Sequence, residues 1–437
     1  MTHTPPAALL CIVLLAGSAA GQPAHGTTSP AQPAAQTTSG QADQASSQPS
    51  SPAEVTEPMD VFDLIRKLRH KELTEGQRLA LDNPTYPMYA FAPVIGYKPS
   101  SGGLIGFAGN VARYRGDPKT THISSAVASL TVSTLKQVSA TARFAMLTRD
   151  DRWKIDGDNR FQWTSQDTFG LGTETTKADK VNMKFDYFRI FETAYRELHP
   201  GLFAGVGFHY SAHTDVEPGE DAEEGWSESP YVAYSEKNGL PLTSQTSAGT
   251  SINLIVDTRD NALNADRGWF GSVSYRTFFA GFLGGDSTWQ QVTLDARTFK
   301  TLSSDGRHKL AFWLFGDFVA SGVAPFLDLP ATGMDSYGRS GRGYAEGRFR
   351  GERLLYGEFE YRHTLTKNGL LGMVAFLNTS TFTNTQSGER LFDHFASAGG
   401  VGLRLLVNKR SRTNLCLDIG WGEQGSRGFY LAIQEAF

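Results

Sequence analysis

Cysteine is almost absent from this chain of 437 residues, which contains only two. Cys11 lies in an apolar run near the start of the chain, within a segment that the sequence predicts to be removed. Cys416 is then the one cysteine of the predicted mature protein, so an intramolecular disulfide is excluded there. A small secreted domain held together by disulfide bonds is excluded for the same reason.

Long hydrophobic runs, a large net charge and recognisable catalytic spacings are also missing. No stretch of about 18 apolar residues occurs, so the sequence predicts no transmembrane helix. A formal net charge of −4 argues against general binding of nucleic acid. The ten histidines are scattered without a metal-protease motif or a nucleophile beside a base. We therefore expect no cofactor, no metal and no enzymatic activity.

What the chain does contain is glycine and aromatic residues in a polar background. It has 46 glycines and 28 phenylalanines, and its mean hydropathy is −0.31. This composition is typical of a membrane β-barrel, because one face of each strand contacts lipid while the other contacts water.

The first 56 residues indicate export followed by a linker. Residues 1–20 have the apolar core Ala7–Ala16 and the small residues of a secretory signal, with cleavage after Ala20. Residues 21–56 contain Gln, Ala, Ser, Thr, Pro and Gly with almost no large apolar side chain. Such a segment buries too little surface to fold, and it is predicted to be disordered.

Residues 57–88 are predicted to be periplasmic and to contain one short helix within 61–70. The apolar side chains recur at helical spacing, with basic residues on the opposite side. They are Phe62, Leu64, Ile65 and Leu68. We expect this helix to rest on the periplasmic rim of the barrel; a lumenal plug and a partner-docking helix are the alternatives.

Residues 427–437 alternate between two faces in the manner of a membrane strand. The predicted lipid face carries Phe429, Leu431, Ile433 and Phe437. The opposite face carries Tyr430, Ala432, Gln434 and Ala436. A final strand that ends on Phe is typical of bacterial outer-membrane barrels. A half-buried strand of a soluble sandwich is the alternative for this segment taken alone.

The sequence predicts an all-β fold, a 16-stranded antiparallel transmembrane barrel over residues 89–437. Long connections near 164–183, 214–243 and 321–350 lie on one side, and short polar turns lie on the other. The predicted strands are 90–98, 103–114, 120–133, 136–147, 152–164, 183–197, 200–213, 244–257, 267–280, 286–301, 307–320, 351–366, 369–381, 394–407, 411–423 and 427–437.

Charged residues on the predicted lumenal face suggest a contact inside the barrel. Glu358, Glu360 and Asp418 point away from large apolar neighbours on their strands, and such charges need hydration or a partner. The connection 321–350 alternates Gly and Arg, and an arginine fork binds carboxylates through two hydrogen bonds. We expect the connection to fold into the lumen, held by Arg342; a solvated basic surface loop is the alternative.

Three segments resemble one family, and they follow one another along the chain in the order that this family has. Arg342-Gly343-Tyr344 resembles the Arg-Gly-Phe/Tyr tip of the sixth, lumenal loop in the BamA/TamA superfamily, the bacterial surface antigen family. The segment Tyr356–Arg362 resembles the next strand of that family, and Asp257–Phe270 resembles its Asp-x-Arg-Asp strand–turn–strand element. The resemblance covers roughly residues 90–437. It implies a barrel closed by a loop whose Arg342, Gly343 and Tyr344 form a lock.

Two departures from the family distinguish this chain. The strand after the loop usually offers an aspartate to the loop arginine, but Asn378 stands at that position. A neutral amide cannot form the ion pair, so Glu358, Glu360 or Asp418 must supply the charge. The tandem periplasmic (POTRA-type) domains that receive client chains in larger relatives are also missing from the sequence, which is interpreted as a short member.

The resemblance implies a non-enzymatic role in envelope biogenesis at the bacterial outer membrane. A seam between the first and last strands would open and accept a strand of an unfolded outer-membrane client. Pro93 and Phe437 are the residues predicted at this seam, because Pro93 cannot donate a ladder hydrogen bond. The partners implied are outer-membrane lipid and client proteins, without nucleic acid. A passive pore or a structural barrel is the alternative, and the oligomeric state is left open.

Two further segments are interpreted without a functional role. Asp257–Gly268 is predicted to be a structural turn, because Asp and Asn cap turns and Gly268 relaxes the backbone. The acidic stretch Asp215–Glu228 is predicted to be a solvated extracellular loop and not a metal site.

Overall fold

The computed structural model describes residues 58–83, 85–98, 102–219 and 222–437. The predicted signal at 1–20 and the predicted linker at 21–56 lie outside the described residues. Within the described part of the chain, none of the helices is long and apolar enough to cross a membrane.

Sixteen antiparallel strands form one sheet in which every strand pairs with the next one along the chain. The strands are β1 Met88–Lys98, β2 Gly102–Arg113, β3 Ser124–Ser133, β4 Val138–Leu147, β5 Trp153–Thr168, β6 Val181–His199, β7 Leu202–Pro218, β8 Gln245–Asp257, β9 Gly268–Phe278, β10 Trp289–Thr301, β11 His308–Gly322, β12 Arg353–Thr364, β13 Leu371–Phe382, β14 Ala396–Asn408, β15 Thr413–Gly422 and β16 Arg427–Ile433. This confirms the predicted fold class.

Alternation along each strand separates an outer face from a lumenal face, as β12 illustrates. Phe359 is 42% exposed, whereas its neighbours Glu358 and Glu360 are fully buried inside the barrel. Successive side chains of a strand point to opposite sides of the sheet, so the charged row faces inward and the aromatic row faces lipid.

Strand length is uneven around the barrel. β6 has 19 residues and β7 has 17, while β16 has only seven. At the barrel end that carries the long connections, the observed β5, β6 and β7 extend further than the predicted strands do. Pairing with an equally long neighbour carries these strands beyond the segment whose alternation is clear in the sequence.

The barrel has an open edge between its first and last strands. Among the described residues, no backbone ladder joins β1 to β16, and each pairs only with its neighbour on the other side. The two strands nevertheless lie side by side, because Ile433 packs against Ala92 and Ala108.

Two short helices precede the barrel on the side of the short turns. They are α1 Val61–Leu68 and α2 Glu75–Asp82. Asp60 and Asp63 form a capping box that satisfies backbone donors at the start of α1, which fixes where the helix begins. The capping carboxylate of Asp60 also accepts a hydrogen bond from the backbone of Lys409 at 3.1 Å, so α1 lies against the turn after β14.

The long connection after β7 contains a third helix, α3 Pro230–Lys237, which the sequence analysis did not predict. Ser229 caps the helix and Pro230 occupies its first turn, a start signal that the sequence did carry. Tyr231, Val232 and Tyr234 are buried in a cluster at the barrel end that carries the long connections. The prediction that 215–228 is a solvated loop is wrong for its first residues, because β7 continues to Pro218 and Val216 is buried.

The prediction that Phe437 lies on the lipid face at the seam is wrong. β16 ends at Ile433, and Gln434 adopts a left-handed backbone with φ of 77° that turns the chain inward. Phe437 is 6% exposed and packs on Phe299 and Trp313 inside the barrel. The alternating strand therefore ends at Ile433, and the four residues that follow it are buried inside the barrel.

Candidate functional site

The connection between β11 and β12, residues 323–352, folds into the lumen. It places Arg342 among carboxylates of β12 and β15. The Arg342 side chain is fully buried. Its Nη1 atom lies 2.7 Å from a carboxylate oxygen of Asp418, its Nε lies 3.3 Å from Glu358, and its Nη2 pairs with both Glu358 and Glu360. All three predicted acidic partners, Glu358, Glu360 and Asp418, contact the Arg342 guanidinium.

A second layer of arginines surrounds these carboxylates. Arg362 donates from Nε to Glu360 at 2.7 Å, and Arg404 pairs with Asp418. Arg404 also donates from Nε to Glu435 at 2.7 Å. We call the set Arg342, Arg362, Arg404, Glu358, Glu360, Asp418 and Glu435 the lumenal ion network.

The lumenal ion network joins the loop to the end of the last strand. Glu435 lies two residues beyond β16, and Arg362 donates from Nη2 to the backbone oxygen of Phe437 at 3.1 Å. Buried ions without partners are costly, so removing one arginine leaves carboxylates without compensation. The position of the loop and the position of residues 434–437 therefore depend on the same charges.

Asn378 contributes hydrogen bonds instead of charge. Its Nδ2 donates to the backbone oxygen of Arg342 at 2.9 Å and lies 3.4 Å from an oxygen of Glu358. The amide thus holds the loop backbone, while the guanidinium takes its ion pairs from β12 and β15. The ring of Phe376 lies 3.8 Å from the Arg342 guanidinium and covers it.

Gly343 and Tyr344 attach the loop tip to the last three strands. The Gly343 N–H donates to the Tyr430 hydroxyl at 2.9 Å, and that hydroxyl donates to the Tyr344 carbonyl at 2.9 Å. The Tyr344 hydroxyl donates to the carbonyl of Ser397 and accepts from the N–H of Glu423 at 3.1 Å. Gly343 has φ of 113°, a backbone conformation that a side chain disfavours.

Glycines on β15 let the loop backbone approach the wall closely. A Cβ atom at Gly420 would lie 2.8 Å from the Gly343 nitrogen, and one at Gly422 would lie 2.6 Å from the Tyr344 ring. The lumenal face of this part of the wall is therefore shaped to receive Arg342-Gly343-Tyr344. Without a structure, these glycines were indistinguishable from the other glycines of the strands.

Two more arginines of the loop are buried, and the sequence analysis did not single them out. Arg350 donates from Nη1 to the carbonyl of Phe326 and from Nη2 to Gln166, both at 2.9 Å. Arg348 donates to the backbone and side chain of Thr175. The alternation of Gly and Arg was the available signal, but only the fold separates buried arginines from exposed ones.

At the opposite mouth, the turn 258–267 between β8 and β9 reaches across the barrel. Arg412, in the turn after β14, lies 2.7 Å from Asp260 and 3.1 Å from Asp266. Leu263 packs with Met88 at the start of β1, so the turn contacts widely separated strands. Burial alone would raise the pKa of Asp260, but hydrogen bonds from Arg412 and from the backbone N–H groups of Asp266 and Arg267 outweigh it and lower that pKa.

A chamber of about 250 Å³ lies in the lumen between the loop and this turn. Charged side chains of both signs line it, including Asp158, Arg276, Asp295 and Arg297. Arg297 and Asp295 of this lining pair with each other. Asp158 pairs with Arg160 at 2.7 Å. Within the described residues, no group of His, Cys, Asp and Glu side chains could hold a metal ion.

A second cavity, of about 280 Å³, lies where β1 and β16 fail to pair. Its lining includes Val94 and Ile95 from β1, Phe429 and Ile433 from β16, and Tyr337 from the lumenal loop. Pro93 is exposed on β1 directly beside this cavity and faces Phe107 on β2. The structure thus places Pro93, but not Phe437, next to the open edge.

Taken together, these features describe a 16-stranded barrel with a loop in its lumen, a turn across its other mouth and one unpaired edge. A family model described as the Omp85 superfamily domain matches residues 128–437. The chain therefore belongs to the Omp85 superfamily of outer-membrane β-barrel proteins. The described residues ahead of β1 form two short helices and contain no POTRA domain.

Solved structures with the same fold include two large outer-membrane proteins. BamA from Haemophilus ducreyi lacking POTRA domains 1–3 is 13% identical over 80% of this chain and 69% of that chain, with a TM-score of 0.51. CdiB from Acinetobacter baumannii is 12% identical over 80% of this chain, with a TM-score of 0.51. This chain covers only 59% of that CdiB chain. A search of curated proteins gave no match.

Proposed function

We propose that this protein is a non-enzymatic barrel of the bacterial outer membrane that assists the biogenesis of other outer-membrane proteins at the edge between β1 and β16. The observation that carries the proposal is that these two strands lie side by side without a shared ladder. An unpaired strand edge presents backbone donors and acceptors to another chain. A client strand would add there by β-augmentation.

The lumenal ion network supports a role for the loop as a lock beside this edge. Gly343 and Tyr344 are bonded to Tyr430 on β16, and Tyr337 lines the cavity at the edge. A change at the edge would therefore be transmitted to the loop through direct contacts. Arg342, Gly343 and Tyr344 are proposed as the lock, with Glu358, Glu360, Asp418 and Asn378 as its partners.

The test places a photo-crosslinking amino acid at Ile95 on β1 or at Phe429 on β16. Both side chains are exposed on the outer face, at 59% and 52%. Leu377 on β13 is 69% exposed and is the matched control, because it contacts lipid away from the edge. We expect crosslinks to unfolded outer-membrane proteins from the edge positions only. Equal crosslinking from Leu377, or none from the edge, contradicts the proposal.

A passive pore is the second candidate, and one feature favours it: charged residues of both signs line part of the chamber inside the lumen. The loop and the turn 258–267 both obstruct a straight path, so the wild-type protein should conduct poorly in a planar bilayer. Arg342→Ala should release the loop and produce large fluctuating currents. Steady and equal conductance of both proteins would instead support a pore and remove the lock from the proposal.

A further inference from the structure

The segment ahead of β1 crosses beneath the open edge. Residues 58–83 are joined to turns on the β16 side of the edge, although the chain then continues into β1 on the other side. The backbone N–H of Met59 donates to the carbonyl of Asn368 at 2.9 Å, in the turn after β12. Met59 therefore contacts a turn on the β16 side of the edge, whereas β1, which follows it in the chain, pairs with β2 on the other side.

The turn after β14 supplies the other anchors. Lys409 donates from Nζ to the carbonyl of Pro58 at 3.1 Å and lies 2.9 Å from a carboxylate oxygen of Asp63. Arg410 donates from Nη2 to the carbonyl of Asn83 at 2.6 Å. β15 and β16 lie between this turn and β1 in the strand order, so the segment spans them.

We infer that residues 58–83 form a strap that limits separation of β1 from β16 at the periplasmic rim. Asn83 lies five residues before Met88, the first residue of β1. An extended chain covers at most about 3.3–3.6 Å per residue, so this stretch reaches no further than roughly 17 Å. While Arg410 holds Asn83, the start of β1 stays within that distance of the turn after β14.

Loss of the contact between Arg410 and Asn83 lengthens the stretch of chain that separates β1 from its nearest anchor on the turn after β14. The anchor at Asp63 lies 25 residues before Met88, and with α1 and α2 kept helical at about 1.5 Å per residue this stretch still reaches roughly 60 Å. Both anchors are polar contacts near the surface: the side chains of Lys409 and Asp63 are 39% and 16% exposed, and Asn83 is exposed while Arg410 is half-buried. A partner that competes for Lys409 and Arg410 would therefore release this strap without unfolding the barrel, and the turn 258–267, which contacts both Met88 and Arg412, would remain as the second link across the edge.

The inference deepens the proposed function, since it concerns how the same edge is regulated, but its test needs no client. Hydrogen exchange of β1 amides is measured on the full chain in lipid vesicles. We expect the double variant Lys409→Ala/Arg410→Ala to exchange β1 amides at least about threefold faster than the wild type. Lys367→Ala, which removes an exposed charge from the turn after β12, is the control and should change nothing.

A second variant tests the tether without removing any contact. An insertion of about six Gly and Ser residues after Tyr86 adds roughly 20 Å of reach while Arg410 and Asn83 are retained. Faster exchange in β1 is expected here as well, with the exchange of β6 unchanged. If the amides of 58–83 become faster in the double variant while those of β1 stay at the wild-type rate, the strap is overturned. Unchanged exchange in the insertion variant would also overturn it.

A failed strap and a failed function give different results. If β1 exchange responds as expected but no client crosslinks to Ile95 or Phe429, the strap stands and the client role falls. If clients crosslink while the exchange of β1 amides is the same in the strap variants as in the wild type, the client role stands. Contacts other than the strap then limit the separation of β1 from β16.

Discussion

The wall formed by β6 and β7 and the wall on either side of the open edge are held together by different forces. β6 and β7 pair over most of their 19 and 17 residues, whereas β15 and β16 pair from Leu415 to Trp421 only. Backbone hydrogen bonds are made inside the ladder in the first case. In the second, the ladder is short on one side and absent on the other.

Side-chain contacts stabilise the barrel where the backbone ladder is missing. The lumenal loop binds β12 and β15 through Arg342, and it binds β16 through Tyr430. Residues 434–437 bind β14 through Arg404, and residues 58–83 bind the turns after β12 and β14. These contacts lie on the β16 side of the edge. This edge is therefore stabilised by separate side-chain contacts that can be released one at a time, unlike the hydrogen bonds of a backbone ladder.

The largest expected effect comes from the centre of the lumenal ion network. Arg342→Met leaves Glu358, Glu360 and Asp418 without their shared partner, and breaking a buried ion pair in this way costs about 3–5 kcal/mol. Denaturant unfolding in lipid vesicles, followed by tryptophan fluorescence, measures the loss. Arg353→Met is the control, because Arg353 is exposed on β12. Equal losses for the two variants would contradict the network.

The next effect distinguishes residues 434–437 from β16. Phe437→Ala removes a ring packed on Trp313 and Phe299, and truncating a buried Phe costs about 3 kcal/mol or more. Phe429→Ala removes a ring that is 52% exposed on the outer face and should cost clearly less. The same unfolding measurement ranks the two. A larger loss at Phe429 would mean that the inward turn at Gln434 does not stabilise the barrel.

A smaller effect is expected from the close approach of loop and wall. Gly420→Ala places a Cβ 2.8 Å from the Gly343 nitrogen, so backbone must move, and overpacking of this kind costs about 1–3 kcal/mol. Limited proteolysis should then cut the loop 323–352 faster. Gly357→Ala on β12 is the control, since its Cβ would meet no atom within 4 Å. If both variants resist the protease equally, the glycines do not seat the loop.

The smallest effect lies in the connection between β2 and β3, residues 114–123. A hydrogen bond with Asp151 raises the pKa of His122 against the opposing effect of burial. The stabilisation is fully present below the unfolded pKa of His and is lost as pH rises through the raised folded value. The stability difference between wild type and His122→Gln should therefore shrink from pH 6 to pH 9, by at most about 1 kcal/mol. A difference that grows with pH would contradict the assignment.

Much of the fold could be predicted because it depends on local alternation. The charged row of β12 and the aromatic row beside it specify two faces without reference to any other strand. Turn signals such as Ser303–Gly306 and Thr366–Gly369 separate the strands, and sixteen strands follow from counting them. Ser229 and Pro230 also form a helix start signal for α3, although the acidic stretch before them is typical of a solvated loop.

The sequence by itself determined the strand order, the inward charges and the arginine that meets them. Only the tertiary structure decided that Phe437 lies in the lumen, that Asn378 binds the loop backbone, and that residues 58–83 cross beneath the open edge. A period of two assigns a side chain to one of two faces, but it says nothing about where the strand stops. That point depends on how much surface the following residues bury against strands distant in sequence, such as β11, and no local pattern encodes that contact.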